Sequence, residues 1–237
     1  VPVLDVPADI VEFELKKVRD FLSRSVNTSV APSATCYTLQ NYGVSCTSLG
    51  ISPDFSFLSC GTESSFIDIW SLNGSQLKCL KPSTELAALD LDKIQSMDEL
   101  LETQGSHMKR LIGHSGPVSS SRFSKDSASL LSGSFDSTLR LWSTKTFSSI
   151  ATYTSHAYPV WDCDISPVGH YFISGSADKT VRLWNFDYQQ PIRLYAGHLS
   201  DVDCVQFHPN GTLLSSGSSD KHIRIWDLAS GNCVRLL

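Results

Sequence analysis

Ser155-His156-Ala157-Tyr158-Pro159-Val160-Trp161-Asp162-Cys163-Asp164-Ile165-Ser166-Pro167-Val168-Gly169 runs on through Tyr171-Phe172-Ile173-Ser174-Gly175 and Thr180-Val181-Arg182-Leu183-Trp184. Apolar and polar residues alternate in the first and last of these runs, which is the period of a strand with two unlike faces. In the first run Val160, Cys163 and Ile165 fall only imperfectly on one side. Ser166-Pro167-Val168-Gly169 carries turn chemistry, and Ala177-Asp178-Lys179 marks a second turn. The stretch therefore predicts three antiparallel strands, and Pro191-Ile192-Arg193-Leu194-Tyr195 supplies a fourth.

The unit recurs. Tryptophans stand 42 residues apart at Trp142, Trp184 and Trp226, and histidines keep the same interval at His114, His156 and His198, so that each precedes its tryptophan by a constant spacing. A four-stranded unit repeating every roughly 40 to 45 residues is the signature of a propeller blade. Val118 to Trp142 and Val202 to Trp226 match the quoted stretch without a gap. Upstream, Ile51-Ser52-Pro53-Asp54 precedes Trp70 as Ser124 precedes Trp142, so a degenerate first copy is expected. In it Tyr42 replaces the histidine, Cys60 the serine and Ser64 the aspartate.

Between Trp70 and His114 lie 44 residues where the other copies use 14, which leaves an insertion of 30. Pro82-Ser83-Thr84 offers a helix cap, and Leu86, Leu89, Ile94, Met97, Leu100 and Leu101 recur near helical spacing among Asp and Glu, so the insertion reads as an acidic amphipathic helix. Met108 to Ile112 resumes as the outer strand. Asp9 to Arg24 reads as a short N-terminal helix, Asn27 to Thr35 as a linker, and Cys36 to Leu39 as an extra outer strand. The expected layout is helix and linker over 1–35 and propeller over 36–237. Its blades are 42–112 with the insertion at 73–107, then 113–154, 155–196 and 197–237.

Composition narrows the function classes. A net charge of -5, with charged residues at 18%, provides no basic field for nucleic acid. No apolar run approaches the ~20 residues that span a bilayer. Seven cysteines without a C-x-x-C pair fit a reducing intracellular compartment. The sequons at Asn27, Asn73 and Asn210 are read as chance, Asn210-Gly211 being a turn. The chain opens on Val-Pro-Val, and four repeats with a surplus outer strand predict an arc cut from a longer propeller, apolar at both ends.

Each later blade holds the residue types of a hydrolytic triad: His114, Ser132 and Asp136 with Trp142; His156, Ser174 and Asp178 with Trp184; His198, Ser216 and Asp220 with Trp226. An active site requires one strained, exposed nucleophile, whereas a set present in every blade answers a need common to every blade. These residues can satisfy one another through carboxylate, imidazole, hydroxyl and indole, so they are expected to lock loop and turn onto the third strand. No catalytic, metal or cofactor site is expected, because His, Cys and Asp never cluster at ligand spacing and no phosphate-binding glycine loop appears.

Gly113-His114, Gly197-His198, Trp226-Asp227 and the turn aspartates resemble WD repeats; Ser155-His156, Trp142-Ser143 and Trp184-Asn185 depart from the pattern without disturbing it. That family implies an all-β propeller that serves other proteins as a platform. His156 to Asp162, Tyr195 to Val202, Phe207-His208-Pro209-Asn210 and Gly231 to Arg235 are similar to one subfamily, the fifth TBP-associated factor of TFIID and its paralogue in SAGA-type complexes. The resemblance implies a nuclear, non-enzymatic scaffold, usually with seven blades and an N-terminal helical domain, whose partners are histone-fold TBP-associated factors. Partner contacts would fall on Phe135, Tyr158, Lys179, Leu199, Asp201 and Lys221, at the loops after the histidines and the aspartate turns. The competing reading is a substrate receptor of a cullin-type ubiquitin ligase, lowered by the absence of Trp-Asp-x-Arg at a strand end.

Overall fold

In the first blade the strands are β1 (Cys46–Ile51), β2 (Phe57–Thr62), β3 (Phe66–Ser71) and β4 (Met108–Ile112), paired antiparallel in that order. The computed structural model describes residues 38, 43–81, 101–102 and 105–237. Three more sheets follow with the same topology. They are β5 (Val118–Phe123), β6 (Ser129–Ser134), β7 (Thr138–Ser143) and β8 (Ser149–Thr154); then β9 (Val160–Ile165), β10 (Tyr171–Ser176), β11 (Thr180–Asn185) and β12 (Arg193–Ala196); then β13 (Val202–Phe207), β14 (Leu213–Ser218), β15 (Ile223–Asp227) and β16 (Cys233–Leu236). The expected N-terminal helix, linker and extra strand lie outside the described residues, apart from Thr38.

The second strand of a blade that has a neighbour on each side is buried on both faces. In β10 every residue from Phe172 to Ser176 is buried. Phe172 packs backward with Trp184, Val160 and Cys163 against Leu131, Leu139 and Tyr153 of the second blade. Ile173, Val181 and Leu183 pack forward against Val202, Val205, Phe207 and Trp226 of the fourth. The hydrophobic core is thus divided into layers between blades, and each sheet is held by its neighbours.

Glycine sets the closeness of those layers. A Cβ on Gly61, Gly133 or Gly175 would lie 2.8, 3.0 or 2.9 Å from Cγ1 of Val118, Val160 or Val202, the first residue of the next blade's inner strand. Any side chain there would push the blades apart. A bulge recurs one residue further along each inner strand, seen in the register shifts between Val118 and Ser120 and between Val202 and Cys204. It explains the imperfect alternation of β9: the extra residue, Trp161, lets Val160 and Cys163 face the same way.

The inner strands pack in a row, β1 on β5, β5 on β9 and β9 on β13, and no comparable packing joins β13 to β1. The described blades form an open arc. Ile223 is 49% exposed although Ile67, Leu139 and Val181 at the same position are fully buried, and Leu49 is 58% exposed where Cys163 is fully buried.

Two expectations are adjusted. The ends of the insertion are extended, with bridges joining Leu77 to Ser106 and Leu80 to Leu101, so Leu101 pairs with a strand-like neighbour instead of continuing a helix. The rest of the expected insertion helix lies outside the described residues. In the third blade the outer strand begins at Arg193, two residues after Pro191, which has no N–H to give to a ladder.

Candidate interaction surface

The loop leading into each inner strand and the turn after each second strand meet at one rim of the blade. Backbone bonds from Phe135 N to Pro117 O, Ala177 N to Pro159 O and Ser219 N to Asp201 O join them. Beneath that rim the recurring side chains form a chain of hydrogen bonds. In the third blade Trp184 Nε1 donates to Ser174 Oγ at 2.9 Å, Ser174 Oγ meets His156 Nε2 at 2.7 Å, and His156 Nδ1 meets Asp178 Oδ2 at 2.7 Å. The corresponding distances are 2.9, 2.8 and 3.0 Å through Ser132, His114 and Asp136, and 2.8, 2.8 and 2.9 Å through Ser216, His198 and Asp220. With the indole donating, the serine proton points to Nε2 and the neutral imidazole donates from Nδ1 to an ionised carboxylate.

These serines are buried and their oxygens already accept an indole N–H, so none presents a nucleophile to a substrate. Each aspartate also closes its turn. Asp178 Oδ1 accepts from Thr180 N at 3.0 Å and from Thr180 Oγ1 at 2.6 Å, and Asp220 Oδ1 accepts from His222 N at 2.9 Å. The residue after it takes a positive φ, 66° at Ser137, 67° at Lys179 and 69° at Lys221. Such a left-handed turn presents its side chain at the rim.

Two variations have contacts that were not read from the sequence. Where Gly113 and Gly197 lie against an arginine and the tryptophan ring, the third blade has Ser155, whose hydroxyl bonds to Arg182. In the first blade, Asp68 occupies the position held elsewhere by Arg140, Arg182 and Arg224, and it is buried. Its carboxylate receives two bonds from Arg110, at 2.8 and 2.9 Å, a paired geometry that strengthens both. The same guanidinium lies 3.8 Å from the Phe66 ring centroid, close enough for a cation–π contact. Asp68 and Arg110 face each other across the β3–β4 ladder, a pairing hidden in the sequence by the insertion between them.

Charge follows from these partners. Burial alone would raise the Asp178 carboxyl, but hydrogen bonds from His156 and Thr180 outweigh it and lower it to about 2. Asp136 and Asp220 are lowered by similar bonds against the same opposition. Burial lowers His156 below its ordinary value near 6.5, against the pull of Asp178. The unfolded chain therefore binds more protons than the folded one, first as pH drops through about 6.5 and again between about 4 and 2. Stability in urea is expected to fall in both windows; an unchanged midpoint from about pH 7.5 to about pH 5 would contradict the first step.

Above the buried chains, Tyr158 is 59% and Leu199 76% exposed, Lys179 and Lys221 are exposed, and Asp201 is half-buried. Phe135 stands edge-on to Trp161, with ring centroids 4.9 Å apart at 76°, a favoured aromatic arrangement. Sequence reading missed Trp161. It occupies the bulge position, where in the second blade Ser119 donates to Val160 O at 2.6 Å, and its buried indole N–H has no partner among the described residues. The bulge was the signal, concealed by the tryptophan's resemblance to a core residue.

The family model for "WD domain, G-beta repeat" matches residues 105–143, 147–185 and 189–227. These are WD repeats. Each matched unit takes the outer strand of one sheet and the three inner strands of the next, so β4 belongs to the same WD repeat as β5, β6 and β7. The chain thereby stitches every described blade to its neighbour.

Over 161 residues the WD-repeat chain is 38% identical to "Transcription initiation factor TFIID subunit 5" of Encephalitozoon cuniculi, covering 68% of this chain and 28% of that protein. It is 43% identical over 142 residues to the protein of the same name in Drosophila melanogaster, covering 59% and 20%. It is 42% identical over 154 residues to the human "TAF5-like RNA polymerase II p300/CBP-associated factor-associated factor 65 kDa subunit 5L", covering 63% and 26%. The chain thus spans under a third of the length of each of these relatives.

Proposed function

We propose that this chain is the interaction propeller of a nuclear, non-enzymatic scaffold subunit in a transcription coactivator or general transcription factor complex of the TFIID or SAGA type. The observation that carries the reading is the 38 to 43% identity to TFIID subunit 5 and TAF5-like proteins across the repeats. The arrangement of side chains supports it. Polar groups of the kind used in catalysis are consumed inside the blades, while the rim above them carries aromatic, aliphatic and charged side chains free for contact. Partners are protein subunits, among them histone-fold TBP-associated factors, and the contacts fall on Phe135, Tyr158, Lys179, Leu199, Asp201 and Lys221, with Trp161 between them.

Exposed anchors separate binding from folding. Tyr158→Glu with Leu199→Glu should shift the melting temperature by no more than about 2 °C, since surface changes cost little. The same pair should lower recovery of co-purifying subunits at least about tenfold, as expected for loss of ~1.4 kcal/mol or more at an interface anchor. Undiminished recovery with both substitutions would exclude this rim as the contact surface.

A further inference from the structure

At the strand ends away from the histidines, neighbouring blades meet in a groove between the start of one blade's second strand and the loop after the next blade's third strand. Between the first and second blades it is bounded by Phe57 on one side and Thr144, Lys145 and Phe147 on the other. The chain fills this groove itself. Leu77 enters on an extended segment whose backbone exchanges two hydrogen bonds with Ser106, at 2.8 and 3.1 Å, and the leucine ends 4% exposed within the inter-blade core.

The equivalent groove between the third and fourth blades has Tyr171 at the position of Phe57, and Leu228 and Ala229 at those of Thr144 and Lys145. Among the described residues nothing takes the place of Leu77. A hollow of about 420 Å³ remains, against about 200 Å³ in the filled groove, walled by Leu183 and by Ile192, which is half exposed.

The blades also differ at a buried tyrosine. Tyr153 Oη donates to Phe186 O at 2.9 Å across the second and third blades. Tyr195 stands at the matching position in the third blade, but the matching carbonyl, Leu228 O, accepts from Arg193 Nη1 at 3.2 Å, and the buried Tyr195 hydroxyl has no partner among the described residues. Arg193 and Asp227, both lining the groove, are the charges that act on that hydroxyl.

We propose that this groove docks an extended segment of a partner protein bearing a leucine-class side chain, as the chain's own segment at Leu77 occupies the equivalent groove. The aliphatic side chain enters among Tyr171, Leu183, Ile192 and Leu228, as Leu77 enters the first groove.

The probe is a fluorescent peptide of residues 74 to 80 with Cys79→Ser, titrated against the 237-residue chain by anisotropy. Saturable binding is expected. It should weaken at least about tenfold with Ala229→Trp in the chain, where an exposed position lets the ring fill the groove, and equally with Leu77→Asp in the peptide, as loss of a buried leucine is worth ~1.5 to 3 kcal/mol. Absence of saturable binding at millimolar peptide overturns the proposal, as does binding that Ala229→Trp leaves unchanged. A dimer in sedimentation that Ala229→Trp dissociates would assign the groove to a second copy and also overturn it.

Discussion

Trp184→Ala is expected to destabilise the chain by about 3 to 5 kcal/mol, the cost of emptying a fully buried aromatic site. The ring is completely buried between the second and third blades. It stacks on Phe172 with centroids 5.8 Å apart at 3°, and meets Tyr153 in a tilted edge contact at 5.7 Å. Its removal opens a cavity that neither sheet can close, because each is fixed on its far side by another blade. It also leaves Ser174 without the indole N–H at 2.9 Å. Trp184→Phe keeps most of the ring volume and should cost less. Urea unfolding measures both, and a midpoint for Trp184→Ala equal to that of the unsubstituted chain would refute the layered core.

Asp178→Ala should be the next most damaging change, at about 3 kcal/mol, because removing one member of a buried charged network leaves its partners unsatisfied. The carboxylate holds the His156 imidazole at 2.7 Å, closes its turn through Thr180, and receives Arg182 Nη2 at 3.2 Å. Asp187→Ala, at an exposed position, serves as the control. Its stability should lie within about 0.5 kcal/mol of the parent, as for surface changes that break no contact. Equal melting temperatures for the two variants would mean that the aspartate turn is dispensable to the blade.

Much of the fold was legible because its determinants are local and repeated. Turn residues, alternating faces and the constant interval between tryptophans mark each strand of the later blades within a few residues, and the side chains that must satisfy one another recur at fixed offsets. The reading faltered where distance or irregularity intervened. Asp68 finds Arg110 across the insertion, and no local pattern reveals such a pair. Trp161 sits on a bulge, so its side-chain direction does not follow the alternation of β9. Leu77 reads as part of a loop, yet it fills an inter-blade groove. Of the candidate surface, the sequence marks the rim loops but not Trp161 between them, whose indole N–H is unpaired among the described residues.

The residues that recur hold the blades together, and the proposed contacts to other proteins fall on the exposed rim side chains above them. The direct test is affinity purification of the protein from its own cells, followed by mass spectrometry of what accompanies it in stoichiometric amounts. Recovery of TBP-associated factors of the TFIID or SAGA type is the predicted result. Recovery of a cullin adaptor and its ligase without any TBP-associated factor would contradict the scaffold assignment.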